Sequence, residues 1–333
     1  MFFFVFFSES VWRWECASNY CQKRRVTAET KSSALSLAAC RLFCSDYAAL
    51  WPKPTGDFKL GNYLVRLNIN SIDVTTTKSD TPSSDLVRLA SKRFKSSIEK
   101  QMPRDPVKPG GRSLFVTLNI LDPQIIKLTL SLDEGYTLHM SETSDGRMNA
   151  TISAANYFGC RHGLETLAQL VIYDDIRNEA QIVRDVNIVD KPVYPYRGVL
   201  LDTSRNYISV NGIKRVIDGM ALTKLNTFHW HITDSHSFPY VSKSQPQLSR
   251  LGAYSSSKIY GREDVADIVE FGRVRGVRVM PEFDAPAHVG EGWQDTNFVT
   301  CFKATPWENY CVEPPCGQLD PTKPDLYDVL EGK

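Results

Sequence analysis

The chain has 333 residues, of which 42% are hydrophobic and 23% charged, a composition typical of a globular protein. At about 150 residues per domain, this length predicts two domains. The 39 basic and 38 acidic residues leave a formal net charge of +1, which argues against a nucleic-acid binder that depends on phosphate contacts. Since no apolar run reaches the roughly 18 residues of a spanning helix, we expect no membrane span.

The N-terminal segment, residues 1–50, shows no sustained hydrophobic period, so we predict a loosely ordered lead-in tied down by disulfides. It opens with the apolar run Met1–Phe7, which resembles the central part of a secretory signal. The run has no basic residues before it and no clear cleavage site after it. We interpret it as a damaged or partial signal segment, or as an artefact of the choice of start codon.

The eight cysteines are clustered rather than evenly spread. Four lie in the lead-in, at Cys16, Cys21, Cys40 and Cys44, and four cysteines allow three disulfide connectivities that sequence cannot separate. No histidine pair accompanies them at zinc-finger spacing, so we expect no metal. Close cysteine pairs favour an oxidising compartment, and the glycosylation acceptor at Asn149 agrees with secretion.

The segment 51–192 combines strand-like runs with two helical patterns. Leu86, Ala90, Phe94 and Ile98 recur every four residues, as one helix face requires, and Leu164–Val171 marks a second helix. Because the strands are grouped apart from the helices, we predict an α+β sheet domain with helices on one face. The strand-like runs are Leu64–Ile69, Leu114–Leu121, Ile126–Leu132, Tyr136–Met140, Asn149–Ser153 and Gln181–Val189.

The prolines of Lys191–Pro195 mark a boundary, after which strands and helices alternate through residues 195–333. The predicted strands are Gly198–Asp202, Thr227–Ile232 and Val277–Phe283. This alternation indicates a parallel sheet, either doubly wound or a (β/α)₈ barrel. No glycine-rich phosphate loop follows the first strand, which argues against a dinucleotide-binding fold.

Charged side chains follow the three parallel strands, where functional residues of such folds collect. The strand ends are Asp202–Asn206, Thr233–His236 and Glu282–His288. The arginine, aspartate and histidine at these three successive strand ends cannot contribute to a hydrophobic core. The sequence therefore predicts a functional site at this edge.

Three motifs at these strands resemble glycoside hydrolase family 20, the β-N-acetylhexosaminidases, and most closely the insect chitin-processing members. They are Tyr196–Asn206, Asn226–Ser235 and Pro281–His288, in the family's order. Trp51–Pro54 and Phe158–Thr166 are similar to the family's N-terminal sheet domain. The resemblance implies that residues 195–333 are the first part of a catalytic TIM barrel.

The resemblance also implies a role for each matched position. Arg205 would hold hydroxyl groups of the terminal sugar, which suits a planar and permanently charged guanidinium. Asp234 and His288 would form a relay that positions the catalytic acid, with the carboxylate holding the imidazole in one tautomer. The second acidic residue of the family's motif is replaced by Ser235.

Several residues carry weaker expectations. Glu313, in a loop that a Cys311–Cys316 disulfide would stiffen, would reach the leaving sugar. Asp284 is expected to accept a hydrogen bond behind the site, and His162 is expected to be structural. Of the histidines that flank Trp230, His229 and His231, we expect at least one to point into the barrel wall.

The catalytic pair of the family is not found in these residues. The family's reaction is substrate-assisted: the 2-acetamido oxygen of the substrate attacks the anomeric carbon. An Asp-Glu pair in a Gly-Gly-Asp-Glu context assists it: the aspartate orients the acetamido group, and the glutamate protonates the leaving oxygen. The 333 residues contain no such motif. The late acidic residues are Asp325, Asp328 and Glu331. They fall where we expect the helix that precedes the strand with the catalytic pair. A complete barrel needs about 250 residues, whereas Tyr196–Lys333 has 138. We therefore expect an incomplete barrel and no hydrolysis by this chain alone.

The resemblance implies no cofactor, a substrate that contains N-acetylglucosamine, and a secreted or lysosomal location. It further implies a homodimer for the full-length enzyme. The sequence leaves two hypotheses open. The chain is either an incomplete record of a secreted β-N-acetylhexosaminidase acting on chitin oligosaccharides or glycans, or a short non-catalytic product that binds sugar or interferes with dimers.

Overall fold

The computed structural model describes residues 11–44, 50–104 and 107–332. The chain divides into two compact units, Met1–Pro195 and Tyr196–Lys333. The apolar run that we interpreted as a partial signal lies outside the described residues. Among those that are described, no helix is both long enough and apolar enough to cross a bilayer.

The lead-in forms a β-hairpin followed by a short helix. Strands β1 (Trp12–Ala17) and β2 (Tyr20–Arg25) pair antiparallel, and helix α1 spans Leu37–Phe43. Ser18 and Asn19 form the two-residue turn with φ of 52° and 62°, the left-handed conformation that matches the twist of a hairpin. The prediction of a loosely ordered segment was therefore wrong for this part, because strands of six residues are too short to show a period.

Two disulfides join the hairpin to the chain around α1. Cys16 pairs with Cys44, and Cys21 pairs with Cys40. Cys16 and Cys21 face each other across the hairpin, so the two bridges leave adjacent positions on the same side. Of the three connectivities that the sequence allowed, the fold selects the nested one.

The first unit is built on an eight-stranded mixed sheet with the order β3-β10-β6-β7-β5-β4-β9-β8. Helices α2 (Ser84–Gln101) and α3 (Tyr157–Gln169) pack against each other and against its strands. Buried and exposed residues alternate along the central strands β6 and β7, so one face is covered and the other is open. The strands are β3 Phe58–Leu60, β4 Leu64–Thr76, β5 Arg112–Ile120, β6 Tyr136–Glu142, β7 Met148–Ala154, β8 Val171–Asp174, β9 Glu179–Val183 and β10 Val186–Asp190.

Two strand predictions in this unit were wrong. Ile126–Leu132 forms turns, because β6 already pairs with β10 and β7 and leaves it no edge there. Gln181–Val189 is divided between β9 and β10, which pair with β4 and β6 respectively. The chain therefore crosses from one half of the sheet to the other within this run. Hydrophobic alternation indicates a strand but not where its partners lie.

The second unit opens with three parallel strands, β11 (Gly198–Asp202), β12 (Thr227–Thr233) and β13 (Arg278–Phe283), in that spatial order. Helices α4 (Val210–Leu222), α5 (Gln247–Gly252) and α6 (Arg262–Val274) fall between the strands. This is the predicted strand-helix alternation, and it forms part of a (β/α)₈ barrel.

One face of this sheet packs on the helices and the other faces away from them. Trp230 is fully buried in the core between sheet and helices, together with Ile217 and Ile268. Leu200 and Met280 lie outside that core and are 56% and 37% exposed. Because side chains alternate along a strand, the histidines beside Trp230 share the face of Leu200 and Met280.

A mostly irregular segment follows β13. It contains the short strands β14 (Val299–Thr300) and β15 (Gln318–Leu319), which pair antiparallel, and a 3₁₀ turn at Trp307–Asn309. Helix α7 (Pro324–Leu330) contains Asp325 and Asp328, and Glu331 follows it directly. Two of the three late acidic residues thus lie on a helix, as predicted, and the third caps its end.

Candidate active site

The ends of β11, β12 and β13 and the loop before β15 bring Arg205, Asp234, His288 and Glu313 together. Asp202, the last residue of β11, shapes the first of these loops. Its Oδ1 accepts hydrogen bonds from the backbone N–H groups of Ser204 (2.9 Å) and Arg205 (3.0 Å), and its Oδ2 lies 2.7 Å from Arg205 Nη1. A carboxylate that holds both the backbone and the guanidinium directs the arginine across the strand ends.

Asp234 is the centre of the cluster and is only 2% exposed. Its Oδ2 lies 2.9 Å from Arg205 Nη1, 2.7 Å from His231 Nε2 and 3.1 Å from His288 Nδ1. Its Oδ1 accepts a 2.6 Å hydrogen bond from the backbone N–H of Ser235. The Nδ1 atom of His236 lies 3.5 Å from the same Oδ1. A buried carboxylate is stable only when such donors replace water, and this one is supplied by four side chains and one amide.

His231 bridges two carboxylates. Its Nε2 donates to Asp234 Oδ2, and its Nδ1 donates to Glu282 Oε2 at 2.9 Å. Since both ring nitrogens face acceptors, the imidazole is the doubly protonated cation. The hydrogen bond to Asp234, aided by Glu282 and opposed by burial, raises the pKa of His231 to about 9. Arg205 Nη1 lies 3.2 Å from His231 Nε2. This is not a hydrogen bond between them, because both atoms are donors to the same acceptor, Asp234 Oδ2.

The pKa values of Asp234 and Glu282 are both lowered, so these two carboxylates stay ionised. Burial by itself would raise the pKa of Asp234, but the hydrogen bond from His231 and the charge of Arg205 outweigh burial and lower it to about 2. The hydrogen bond from His231 also lowers the pKa of Glu282, with a further contribution from His229, whose Nε2 lies 2.7 Å from Glu282 Oε2. The cationic His231 therefore lies between two anionic side chains, Asp234 and Glu282.

His288 lies at the open side of the cluster. Its backbone is left-handed, with φ of 60°, and its side chain is 39% exposed. The ring Nδ1 faces Asp234 and lies 3.3 Å from Arg205 Nη2. A partly exposed imidazole with one nitrogen held by a buried carboxylate keeps its other nitrogen available for a further partner.

Glu313 reaches the cluster from a loop that the Cys311–Cys316 disulfide closes. Its Oε1 lies 2.8 Å from Arg205 Nη2, and its side chain is 59% exposed. The predicted disulfide is present, and it fixes the loop from which this carboxylate extends.

Glu282 was not predicted to have a role from the sequence, and for His231 only a general expectation was possible. The two residues are direct neighbours in the register of β12 and β13, so their side chains lie on one face at the spacing of adjacent strands. A usable signal was present in the sequence: two histidines two positions apart on a strand must share a face, and a glutamate lies on the next strand.

At this site, potential metal-ligand atoms lie within 4.8 Å of one another in two groups that share Asp284. One group contains His231 and Glu282, and the other contains Asp234 and His288. A doubly protonated His231 has no lone pair for a metal, and Asp234 Oδ2 already receives three donors. Hydrogen bonds to one another already engage His231 with Glu282 and His288 with Asp234.

A cavity of about 310 Å³ opens beside Asp234, Asp284 and His288. Its wall is mainly aromatic and aliphatic, whereas the site residues form its polar end. Apolar walls with a few convergent polar groups are typical of small-molecule sites. The aromatic residues that line it are Phe238, Tyr240, Phe283 and Trp293.

The remaining predicted residues lie in the first unit. His162 is 1% exposed; its Nε2 lies 2.8 Å from Glu134 Oε2, and its Nδ1 lies 2.8 Å from Arg161 Nη2. This buried relay ties α3 to the loop before β6, which fits a structural role. Asn149 lies on β7 with its side chain exposed.

Parallel strand-helix units with charged residues at the carboxyl ends of the strands define the class of barrel enzymes. Residues 194–332 match the model of the glycosyl hydrolase family 20 catalytic domain, and residues 50–170 match the domain described as beta-acetyl hexosaminidase like. The matched segments together cover well over half of the chain, which belongs to glycosyl hydrolase family 20.

Insect enzymes are among its similar relatives. The chain is 56% identical to the chitooligosaccharidolytic beta-N-acetylglucosaminidase of Bombyx mori over 97% of its length, and 53% identical to that of Ostrinia furnacalis over 96%. Each alignment covers 54% of the relative, so the chain spans about half the length of these proteins.

Solved structures agree on the fold. The chitobiase of Flavobacterium johnsoniae superimposes with a TM-score of 0.64 at 24% identity, over 84% of this chain and 41% of that one. The family 20 β-N-acetylhexosaminidase of Streptomyces coelicolor gives 0.61 at 23% identity, over 85% and 56%. At these identities the likeness supports the architecture alone.

Proposed function

We propose that the chain supplies the sheet domain and the first part of the catalytic barrel of a β-N-acetylglucosaminidase that removes terminal N-acetylglucosamine from chitin oligosaccharides. The observation that carries this proposal is the cluster of Arg205, Asp234, His288 and Glu313 at the strand ends. The 56% identity to the Bombyx mori enzyme supports the choice of chitin oligosaccharides over other glycans.

Arg205 would bind hydroxyl groups of the terminal sugar. Asp202 and Asp234 fix one edge of its guanidinium, and the exposed carboxylate of Glu313 holds the other. A sugar hydroxyl that approached from the open side would meet a guanidinium already oriented, which lowers the entropy cost of binding. Glu313, on the rim, would contact the leaving sugar.

Asp234 and His288 would position the catalytic acid. The carboxylate of Asp234 is buried and ionised, so it holds the Nδ1 side of the His288 ring. The exposed Nε2 side would then face a carboxyl group that these residues do not provide. The pair would tune the proton affinity of that acid and would not itself react with the sugar.

The chain by itself is expected to have no hydrolase activity, because its residues contain no Gly-Gly-Asp-Glu motif. The test is an assay of the purified 333-residue protein with a chromogenic N-acetyl-β-glucosaminide. Turnover that copurifies with the chain and disappears in Arg205→Ala would contradict this expectation.

Sequencing of the transcript beyond the codon for Lys333 tests the assignment itself. A Gly-Gly-Asp-Glu strand within the next barrel unit, about 30 residues, would support it. A stop codon at that point, together with a stable chain that binds N-acetylglucosamine without cleaving it, would favour the non-catalytic alternative.

We also propose that the protein passes through the secretory pathway and that the full-length enzyme is a homodimer. Three disulfides, in both units, support the first proposal, since such bonds persist in oxidising compartments. Non-reducing electrophoresis of protein recovered from culture medium tests secretion. Light scattering of the full-length enzyme tests dimerisation.

A further inference from the structure

The open face of the sheet in the first unit carries the acceptor triplet Asn149-Ala150-Thr151. The triplet lies within β7, where Asn149 and Thr151 are exposed and Ala150 between them is 1% exposed. Asn149 and Thr151 therefore point to the open face while Ala150 points into the core. A sugar attached at Asn149 would extend away from the sheet and would displace none of the core.

The neighbours of Asn149 on this face differ sharply in size. Its register partner on β6 is Ser141, and its register partner on β5 is Phe115. Adjacent strands lie about 4.8 Å apart, so both side chains flank the asparagine directly. The small serine leaves room on one side, and the aromatic ring forms a wall on the other.

Phe115 is an exposed aromatic residue on the open face. It is 37% exposed, and its neighbours along β5 on the same face are Ser113 and Thr117. The guanidinium of Arg147 lies 5.4 Å from the centre of its ring. Neither the hydrophobic core nor the candidate active site uses this ring.

N-acetylglucosamine has the chemistry to cover such a ring. One side of the pyranose presents C–H groups with partial positive charge, which favour the negative face of an aromatic ring. The β-linked first sugar of an N-glycan leaves Asn149 beside the ring, so packing needs no rearrangement of the strands.

We propose that Asn149 carries an N-linked glycan whose first N-acetylglucosamine packs on Phe115 and stabilises the sheet. This goes beyond the proposed hydrolase function, because it concerns the other unit and a covalently attached sugar. It requires passage through the secretory pathway, where the glycan is transferred to the side-chain amide nitrogen of Asn149.

The test uses the full chain secreted from a host that keeps its glycans in the high-mannose form. Peptide mass spectrometry is expected to find Asn149 occupied. Endoglycosidase H, which leaves one N-acetylglucosamine, is expected to preserve the melting temperature. Thr151→Ala, which prevents attachment, is expected to lower it by roughly 2–4 °C, the shift that loss of one aromatic packing contact produces in a unit of this size.

Phe115 variants separate glycan packing from any intrinsic effect of the substitutions. In Phe115→Ala, the melting temperatures of the glycosylated protein and of its Thr151→Ala form are expected to coincide, whereas Phe115→Trp should restore the difference. Tyr63→Ala is the matched control, since Tyr63 is also an exposed aromatic beside an arginine, with Arg184 5.1 Å from its ring. An unoccupied Asn149, or an undiminished glycan effect in Phe115→Ala, would overturn the proposal.

Discussion

His231 donates a 2.7 Å hydrogen bond from Nε2 to the buried Oδ2 of Asp234, and the two side chains hold each other in their charged forms. The pair raises the pKa of the imidazole to about 9 and lowers that of the carboxyl to about 2. Arg205 and His288 share the same carboxylate, so this ion pair sets the geometry of the whole cluster.

We expect His231 to remain an imidazolium ion at neutral pH and to lose its proton near pH 9. Its folded pKa lies above the unfolded value of 6.5, so its contribution to the free energy of unfolding is complete below about pH 6.5. That contribution disappears as the pH rises through about 9. NMR titration of the histidine ring nitrogens, with urea unfolding at pH 6 and pH 9.5, measures both effects.

At low pH, the contribution of Asp234 to the free energy of unfolding changes with pH in the opposite direction. Because the pKa of Asp234 falls from 3.8 to about 2 on folding, its contribution is present above about pH 4 and is lost as the pH falls through 2. A His231 titration midpoint near 6.5 would contradict the pairing, since an unpaired imidazole titrates there.

Asp234→Asn should destabilise the second unit strongly. The substitution leaves the positive charges of His231 and Arg205 without the buried carboxylate, and loss of one partner from such a cluster costs about 3–5 kcal/mol. Asp267→Asn is the control, since Asp267 forms an exposed ion pair with Lys214 and should change stability by about 0–1 kcal/mol. Denaturant unfolding followed by tryptophan fluorescence measures both, and equal effects would argue against a buried charge network.

Trp230→Ala should cost about 3–5 kcal/mol, because it leaves a large cavity between the sheet and its helices. The indole is fully buried, donates to Thr203 Oγ1 at 2.8 Å and meets the ring of Tyr260 edge-on with centroids 4.9 Å apart. Leu200→Ala, on the opposite face of the sheet and 56% exposed, should stay within about 0.5 kcal/mol. Calorimetry of the three proteins tests this, and a large effect at Leu200 would show that its face is packed in solution.

Removal of the Cys21–Cys40 disulfide should loosen the N-terminal hairpin and leave the second unit unchanged. The bridge closes a loop of 19 residues, for which the loss is roughly 3 kcal/mol. We expect Cys21→Ser/Cys40→Ser to be cleaved faster by trypsin after Arg24 and Arg25, with cleavage in residues 196–333 unaffected. Cys301→Ser, which removes a free thiol, is the control. Unchanged cleavage at the hairpin would mean that its packing does not depend on this bridge.

Disulfide mapping by mass spectrometry of unreduced peptides tests the pairing directly. We expect Cys16 linked to Cys44 and Cys21 linked to Cys40. A peptide that links Cys16 to Cys21 would overturn this assignment.

The sequence by itself determined the parallel strands of the second unit and the residues at their ends. Apolar runs such as Thr227–Ile232 are buried whatever surrounds them, and polar residues directly after them must lie at the carboxyl edge of the sheet. The positions of Arg205, Asp234 and His288 at one edge, and the family to which the motifs belong, followed from local pattern.

Only the tertiary structure decided which side chains and segments become partners. It brought Glu282 to His231, selected one of three disulfide connectivities and placed β9 and β10 in different halves of the sheet. It also left Ile126–Leu132 without a strand to pair with. Strand register and cysteine pairing depend on which distant segments pack together, and the free energy of that choice is distributed over many contacts that no local pattern records.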